Sequence, residues 1–402
     1  MAYTIVQTVQ ALNFASNAVA GILGDREKLE SLMAVYLNGG TLPDNTEFPG
    51  FFPIMNPVLA GGDWQPVWGP AVFCALGPQE KATNVMFVAH SASLKTYVVA
   101  LAGTNFNSVA DWIAEDGNVG ADHMALYPIA IPYTDPNNSI PLDSSKPYVS
   151  GATADGVSNL MTKLHDPKTG KDIKKYLASV ANASETLIFT GHSLGGALSP
   201  TLAMQLYPRA QTSASGWQNV LVQPSAGASP GNAAFAQAFA YKSADGKEWA
   251  YPATPTGLTA PFDNWNVDYA SKRDVVPHAW NRLAQVFIPT GLPPVTQVLG
   301  TFQTIYGYMK NTLKTALETK LDTALIGADS LASNGGYMNL PLNEFEPEWG
   351  TYDDTGAWVS LPVYAESNPM STFDEFDPLL LAAHTTQYAR FFGVQIPHLP
   401  KS

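Results

Sequence analysis

Gly191-His-Ser193-Leu-Gly195 places a serine between small residues, directly after the apolar run Leu187 to Phe189 and directly before a helical pattern that opens near Leu194. A serine held on a sharp strand-to-helix turn is exposed for nucleophilic attack, and such a turn accepts only small flanking residues. Gly195, Gly196 and Ala197 let the helix start close to neighbouring backbone. Its N-terminus then offers N–H groups and partial positive charge to a developing oxyanion. A second match to the same pattern, Gly227-Ala-Ser229-Pro-Gly231, serves as an internal control. The residue after the nucleophile must donate its backbone N–H to the oxyanion, and Pro230 has none. Ser193, with Leu194 as donor, is therefore the candidate nucleophile, and Ser229 reads as a loop residue before a helix.

A nucleophilic serine needs a histidine base and a carboxylate that orients it. Elbow enzymes carry these in the chain order serine, acid, histidine, which leaves His278, His384 and His398 as bases. His192 adjoins the serine, but strand alternation turns it the opposite way, so it reads as packing under the elbow. His384, in Leu381-Ala-Ala-His-Thr-Thr-Gln-Tyr388, comes from a separate, later segment and is the preferred base; His278 and His398 stay open. Asp274 is the preferred acid, just past a short strand pattern at Asn266 to Tyr269, with Asp263 and Asp268 as alternatives. That position is the strand-end edge of a sheet, where sites collect.

The second oxyanion donor belongs on the loop after an early strand. Thr104, following the run Tyr97 to Leu101, offers both a backbone N–H and a hydroxyl. Beyond it, Phe106, Val109, Trp112 and Ile113 share one helical face. That face reads either as a surface helix packed on the core or as a lid that meets acyl chains, hinged at Asn105 and Gly117.

Elements able to position these residues follow from the hydrophobic pattern. Val85 to His90, Tyr97 to Leu101, Thr186 to Thr190, Val220 to Val222 and the weaker Asn266 to Tyr269 are apolar runs of strand length. Helical patterns lie between them at Gly156 to Leu164, Ile173 to Val180, Leu194 to Leu206 and Ala233 to Phe239. Such alternation predicts an α/β fold with a mostly parallel sheet and helices on both faces. Asp25 to Leu37 reads as a helix, and Gly39 to Pro70, rich in Gly and Pro, as an irregular approach to the core. Within Pro289 to Glu344, Val295, Leu299, Phe302, Tyr306, Met309, Leu313 and Ala316 recur at steps of four and three. That spacing predicts one long helix with an apolar stripe, packed on the body or capping the site.

The chain has 402 residues, 14% of them charged, with 32 Gly and 31 Pro. Length alone suggests roughly two to three domains, but the candidate residues run from Thr104 to His384. One catalytic domain over 1–402 is expected, with a helical extension at 1–67 and a helical insertion at 291–345. A net charge of −13 argues against nucleic acid and against docking on anionic lipid. One cysteine, Cys74, excludes an internal disulfide framework and a multi-cysteine metal site, and no metal or organic cofactor is expected. The first 24 residues lack charge, yet Gln7, Gln10, Asn13 and Asn17 interrupt them and no basic residue precedes them. Neither a signal peptide nor a transmembrane segment is expected there. Ile5, Val9, Leu12, Val19, Ile22 and Leu23 fit one helical face, packed on the body or on a partner. A soluble protein is expected, cytoplasmic rather than secreted, with the N-terminal helix or residues 295–325 as the surface for an oligomer.

The ordered set resembles the class 3 lipases, which include fungal-type triacylglycerol lipases, feruloyl esterases and plant-type phospholipases A1. The matching pieces are Gly103-Thr104 with Asp111-Trp112, Gly191-His-Ser-Leu-Gly-Gly-Ala197, Gly227-x-Ser-x-Gly-Asn232 with Phe235, Asp274-Val-Val-Pro277, and His384 followed by Tyr388. The resemblance implies an α/β-hydrolase fold, a Ser193–Asp274–His384 triad, an oxyanion hole from Thr104 and Leu194, and a short lid after Thr104. It implies hydrolysis of lipid-like esters at a neutral lipid–water interface. A non-lipid esterase, an acyltransferase and a non-catalytic binding protein on the same fold are the alternatives. The first 65 or so residues, residues 295–345 and the absence of disulfides depart from the minimal family pattern.

Overall fold

The computed structural model describes residues 2–75, 81–103, 123–135, 142–208, 215–240, 251, 265–278, 306–317, 336–353 and 356–399. Seven strands form the central sheet: β1 (Gln65–Phe73), β2 (Asn84–Ser91), β3 (Thr96–Leu101), β4 (Thr186–His192), β5 (Asn219–Ser225), β6 (Asp268–Ser271) and β7 (Leu342–Phe345). They lie side by side in chain order. β1–β2 and β2–β3 pair antiparallel, and every later neighbour pairs parallel. The parallel strands are apolar on both sides because both faces are covered.

Strand alternation sorts these side chains between two cores. Val98, Ala100, Ile188 and Leu221 point to one face, where they meet α1 (Ile5–Ser16), α2 (Arg26–Asn38) and Tyr388 and Phe392 near the C-terminus. Val99, Leu101, Leu187, Phe189, Val220 and Val222 point to the other. There they meet α3 (Gly151–Thr162), α4 (Ile173–Val180), α5 (Leu194–Leu206) and α6 (Ala233–Ala240). Each such Val or Leu, fully buried, contributes about 1.5–3 kcal/mol. Two helices close the chain, α7 (Phe373–His384) and α8 (Thr386–Phe392), separated by a break at Thr385.

Several sequence expectations change. Gly39 to Pro70 is not irregular throughout, since β1 begins at Gln65 and its pairing with β2 shifts register around Trp68. An edge strand tolerates Pro66 and Pro70 because one row of its backbone groups needs no partner. Leu342–Phe345 falls inside the segment expected to be a helical insertion, yet it is the opposite edge strand, paired with β6. The single long helix expected over 295–316 is interrupted: Gly307 bridges Tyr364 and Met309 bridges Met370, with helix resuming at 311–317. Backbone partners at Tyr364 and Met370 outcompete the helical ladder there, helped by the low helix propensity of Gly307. Tyr306, Met309, Leu313 and Leu317 are nevertheless buried, against Phe376, Leu379, Leu380 and Ala383 of α7. The rest of the expected cap, 291–305 and 318–335, lies outside the described residues.

The N-terminal helix packs on its own chain. Val9, Leu12 and Ala15 of α1 are fully buried against the sheet. The helix ends at Ser16, so Leu23, expected on its apolar face, is exposed. No helix among the described residues is long and apolar enough to cross a membrane.

Candidate active site

One residue, Ser193, joins β4 to α5. Its backbone sits at φ 61° and ψ −124°, a region that costs a non-glycine residue of order 1–3 kcal/mol. Surrounding packing imposes it. A Cβ on Gly191 would lie 2.2 Å from the carbonyl oxygen of Gly195, and one on Gly195 would lie 2.6 Å from that of Leu101. The motif glycines are therefore what let strand, turn and helix meet. Ser193 N–H donates to the carbonyl of Ser225 at 3.0 Å, while the Ser193 carbonyl accepts from Gly196 and Ala197. Leu194 is the first residue of α5, and the first amides of a helix have no partner within it. Its N–H therefore lies among the amides that need a partner outside the helix.

The candidate acid and base meet at the same edge. Asp274 follows the end of β6, and His384 is the last residue of α7. His384 Nδ1 lies 2.8 Å from Asp274 Oδ2, and both side chains are fully buried. Asp274 Oδ1 accepts from the backbone N–H of Val276 at 3.0 Å, and Oδ2 also accepts from the Tyr388 hydroxyl at 2.8 Å. Three donors on one carboxylate offset the cost of burying its charge. With Nδ1 donating to Asp274, Nε2 of His384 is left as the proton acceptor. Ser193 Oγ is buried and has no hydrogen-bond partner among the described residues. A serine–base bond of this kind commonly tightens only when substrate is bound.

His192 does sit beneath the elbow, as expected from strand alternation, but it has a further contact. Its Nε2 lies 2.6 Å from the carbonyl of His384, the last residue of α7. A carbonyl only accepts, so Nε2 carries the proton and Nδ1 accepts from Ser225 Oγ at 3.0 Å. Burial first, and the neighbouring His384 second, hold the His192 imidazole well below the usual histidine range. Asp268, one of the alternative acids, accepts from Gly227 N–H instead. Burial raises its carboxyl well above the usual range, with Asp274 adding to the shift. His278 ends a short turn after Asp274, and His398 is exposed in the C-terminal tail. Asp263, Thr104 and the lid residues Phe106, Val109, Trp112 and Ile113 lie outside the described residues.

Tyr388 was legible only as part of a resemblance; its contact with Asp274 needs the fold. Tyr388 and His384 lie on either side of the break at Thr385 and converge on the same carboxylate oxygen of Asp274. The supporting residues Asn13, Asn17 and Ser225 carried no sequence signal beyond being amides and a serine in apolar surroundings.

Residues 98–283 match the family model described as Lipase (class 3). The match spans Ser193 and Asp274 and stops short of His384. No curated protein matches the chain by sequence. Among solved structures, the crystal structure of M37 lipase aligns over 97% of this chain and 93% of its own at 21% identity, with a TM-score of 0.59. That likeness shows the fold, an α/β-hydrolase sheet with added helices. The lipase from Rhizopus microsporus var. chinensis aligns over 69% of this chain and 71% of its own at 18% identity, with a TM-score of 0.36. Lipase II from Rhizopus niveus covers 70% of this chain and 77% of its own at 16% identity, with a TM-score of 0.37. Neither superposes closely enough to add to the fold. The family match over the elbow and Asp274, on a sheet like that of M37 lipase, makes residues 98–283 of this chain similar to the class 3 lipases.

Proposed function

We propose that Ser193, Asp274 and His384 are the catalytic triad of this lipase, with Leu194 and Thr104 as oxyanion donors. The observation that carries the assignment is the buried 2.8 Å bond between His384 Nδ1 and Asp274 Oδ2 at the strand ends where Ser193 sits. Ser193 Oγ attacks the acyl carbonyl as its proton passes to His384 Nε2. The carbonyl oxygen becomes an oxyanion held by the Leu194 and Thr104 donors. Collapse breaks the ester C–O bond, and His384 returns the proton to the leaving alcohol. Water, deprotonated by His384, then attacks the acyl-enzyme and releases the fatty acid and Ser193. Asp274 keeps the imidazole oriented and stabilises the imidazolium.

The face of Phe106, Val109, Trp112 and Ile113 is proposed as a lid opening at a neutral lipid–water interface, consistent with the acidic net charge of −13. Two measurements test the reading. A fluorophosphonate probe should label the native protein and not Ser193→Ala; equal labelling would end the assignment of the nucleophile. A series of p-nitrophenyl esters of rising chain length, with and without an oil–water interface, should show a rate jump at the interface. Simple saturation on soluble esters alone would remove the lid.

A further inference from the structure

We propose that α1, which lies outside the matched family region 98–283, is part of the catalytic apparatus: a stripe of amide side chains on it positions the oxyanion loop and the elbow support. The inference rests on the triad reading above. Gln7, Gln10, Asn13 and Asn17 interrupt the otherwise apolar N-terminal stretch at steps of three, three and four, which is one helical face. Each makes a contact toward an element of the site.

Asn17, capping the end of α1, accepts from the backbone N–H of Gly103 at 2.8 Å through Oδ1. Gly103 immediately precedes Thr104. It is pressed against the elbow so closely that a Cβ there would lie 2.6 Å from the carbonyl oxygen of His192 and 3.1 Å from Ser193 Cβ. The Asn17 bond therefore fixes the backbone from which the second oxyanion donor hangs. One turn earlier, Asn13 Nδ2 donates to Ser225 Oγ at 3.2 Å and to Gln10 Oε1 at 3.2 Å. Ser225 holds the Ser193 N–H with its carbonyl and His192 with its hydroxyl, and His192 in turn holds the carbonyl of His384. Phe14 packs edge-on to the His192 ring at 5.8 Å. At the other end of the stripe, Gln7 Nε2 donates to the carbonyl of Phe392 at 2.8 Å, closing the end of the helix that carries Tyr388.

Physical chemistry favours amides for this task. An apolar stripe would pack α1 at less cost, since buried polar groups need partners. A carboxylate at Asn17 would accept the same Gly103 N–H but place negative charge beside a developing oxyanion, and at Asn13 or Gln7 it could not donate at all. Neutral amides orient the site without opposing the charge that forms in it.

The test compares Asn17→Ala and Asn13→Ala with Leu12→Ala, which opens a cavity in the apolar face of the same helix. On a soluble p-nitrophenyl ester, below every variant's Tm, the two asparagine variants should lose about tenfold or more in kcat with KM within twofold. Their rates of fluorophosphonate inactivation should fall in parallel. Leu12→Ala should lower Tm while keeping kcat within twofold. Asn17→Ser retains an acceptor on a shorter side chain and should lose less kcat than Asn17→Ala; it also serves if the alanine variant does not fold. Wild-type kcat in both asparagine variants, or an equal kcat loss in Leu12→Ala, would overturn the proposal. Turnover retained by Ser193→Ala would instead overturn the triad reading on which it rests.

Discussion

Tyr388 donates its hydroxyl to Oδ2 of Asp274 at 2.8 Å, the same oxygen that faces His384 Nδ1. The hydroxyl also accepts from the Ser271 N–H at 2.9 Å, so its polarity is fixed. Burial, with the Asp274 charge second, raises its pKa far above the usual tyrosine range, and it stays a donor at every working pH. Tyr388→Phe should lower kcat about tenfold with little change in KM. It should also destabilise by about 1–3 kcal/mol, because a buried N–H at Ser271 loses its acceptor. Steady-state kinetics and thermal unfolding check both, and an unchanged kcat would show that the Asp274–His384 geometry does not depend on this bond.

Asp268 should make the protein less stable as pH rises. Its folded-state pKa is raised, by burial first, against which the Gly227 bond works, with Asp274 adding to the rise. A raised pKa gives stability that is fully present below the unfolded value, about 3.9, and is lost as pH climbs through the folded value. Asp268→Asn keeps an acceptor for Gly227 and removes the ionisation. The variant should lose less Tm than the wild type between pH 5 and about pH 9. Parallel Tm profiles would refute the assignment.

His192 works in the opposite direction. Its folded pKa is depressed, by burial and then by His384. Stability from keeping it neutral is complete above the unfolded value, about 6.5, and declines as pH falls below it, because the unfolded chain takes up a proton that the native state refuses. Between pH 7 and about pH 5, His192→Gln, which can still donate to the His384 carbonyl, should show a shallower fall in Tm than the wild type. A fall of equal steepness in the two proteins would argue that His192 is not held neutral.

Gly195→Ala should abolish turnover and lower stability together. The added Cβ would stand 2.6 Å from the Leu101 carbonyl oxygen and 2.9 Å from that of Ala102, so the elbow or the end of β3 must move. Overpacking of this kind costs typically 1–3 kcal/mol, and a shift at either place separates Ser193 from the oxyanion loop. Circular dichroism with ester turnover tests it: an active, equally stable variant would mean that the elbow is looser than its packing implies.

Local chemistry was legible from residue types alone. The limits of α4 and α5 follow the hydrophobic pattern residue for residue, at Ile173–Val180 and Leu194–Leu206. Pro230 separates the two serine motifs without any structure. The rest was hidden for identifiable reasons. β1 contains prolines that only an edge position excuses, and β7, Leu-Asn-Glu-Phe, carries too little apolar pattern to announce a strand. Of the expected stripe, Tyr306, Met309 and Leu313 are buried among the described residues, but backbone pairing with Tyr364 and Met370 decides the conformation at Gly307 to Met309.

By itself the sequence determined the fold class and singled out the candidate nucleophile, acid and base, because a strained elbow and buried strands demand particular residues at adjacent positions. Tertiary structure alone decided which groups hold the site in place. Tyr388 on Asp274, His192 under His384, and the amides of α1 reaching Ser225 and Gly103 join residues far apart in the chain. Those bonds depend on direction and distance in three dimensions, and a single polar side chain carries no trace of the partner it will meet.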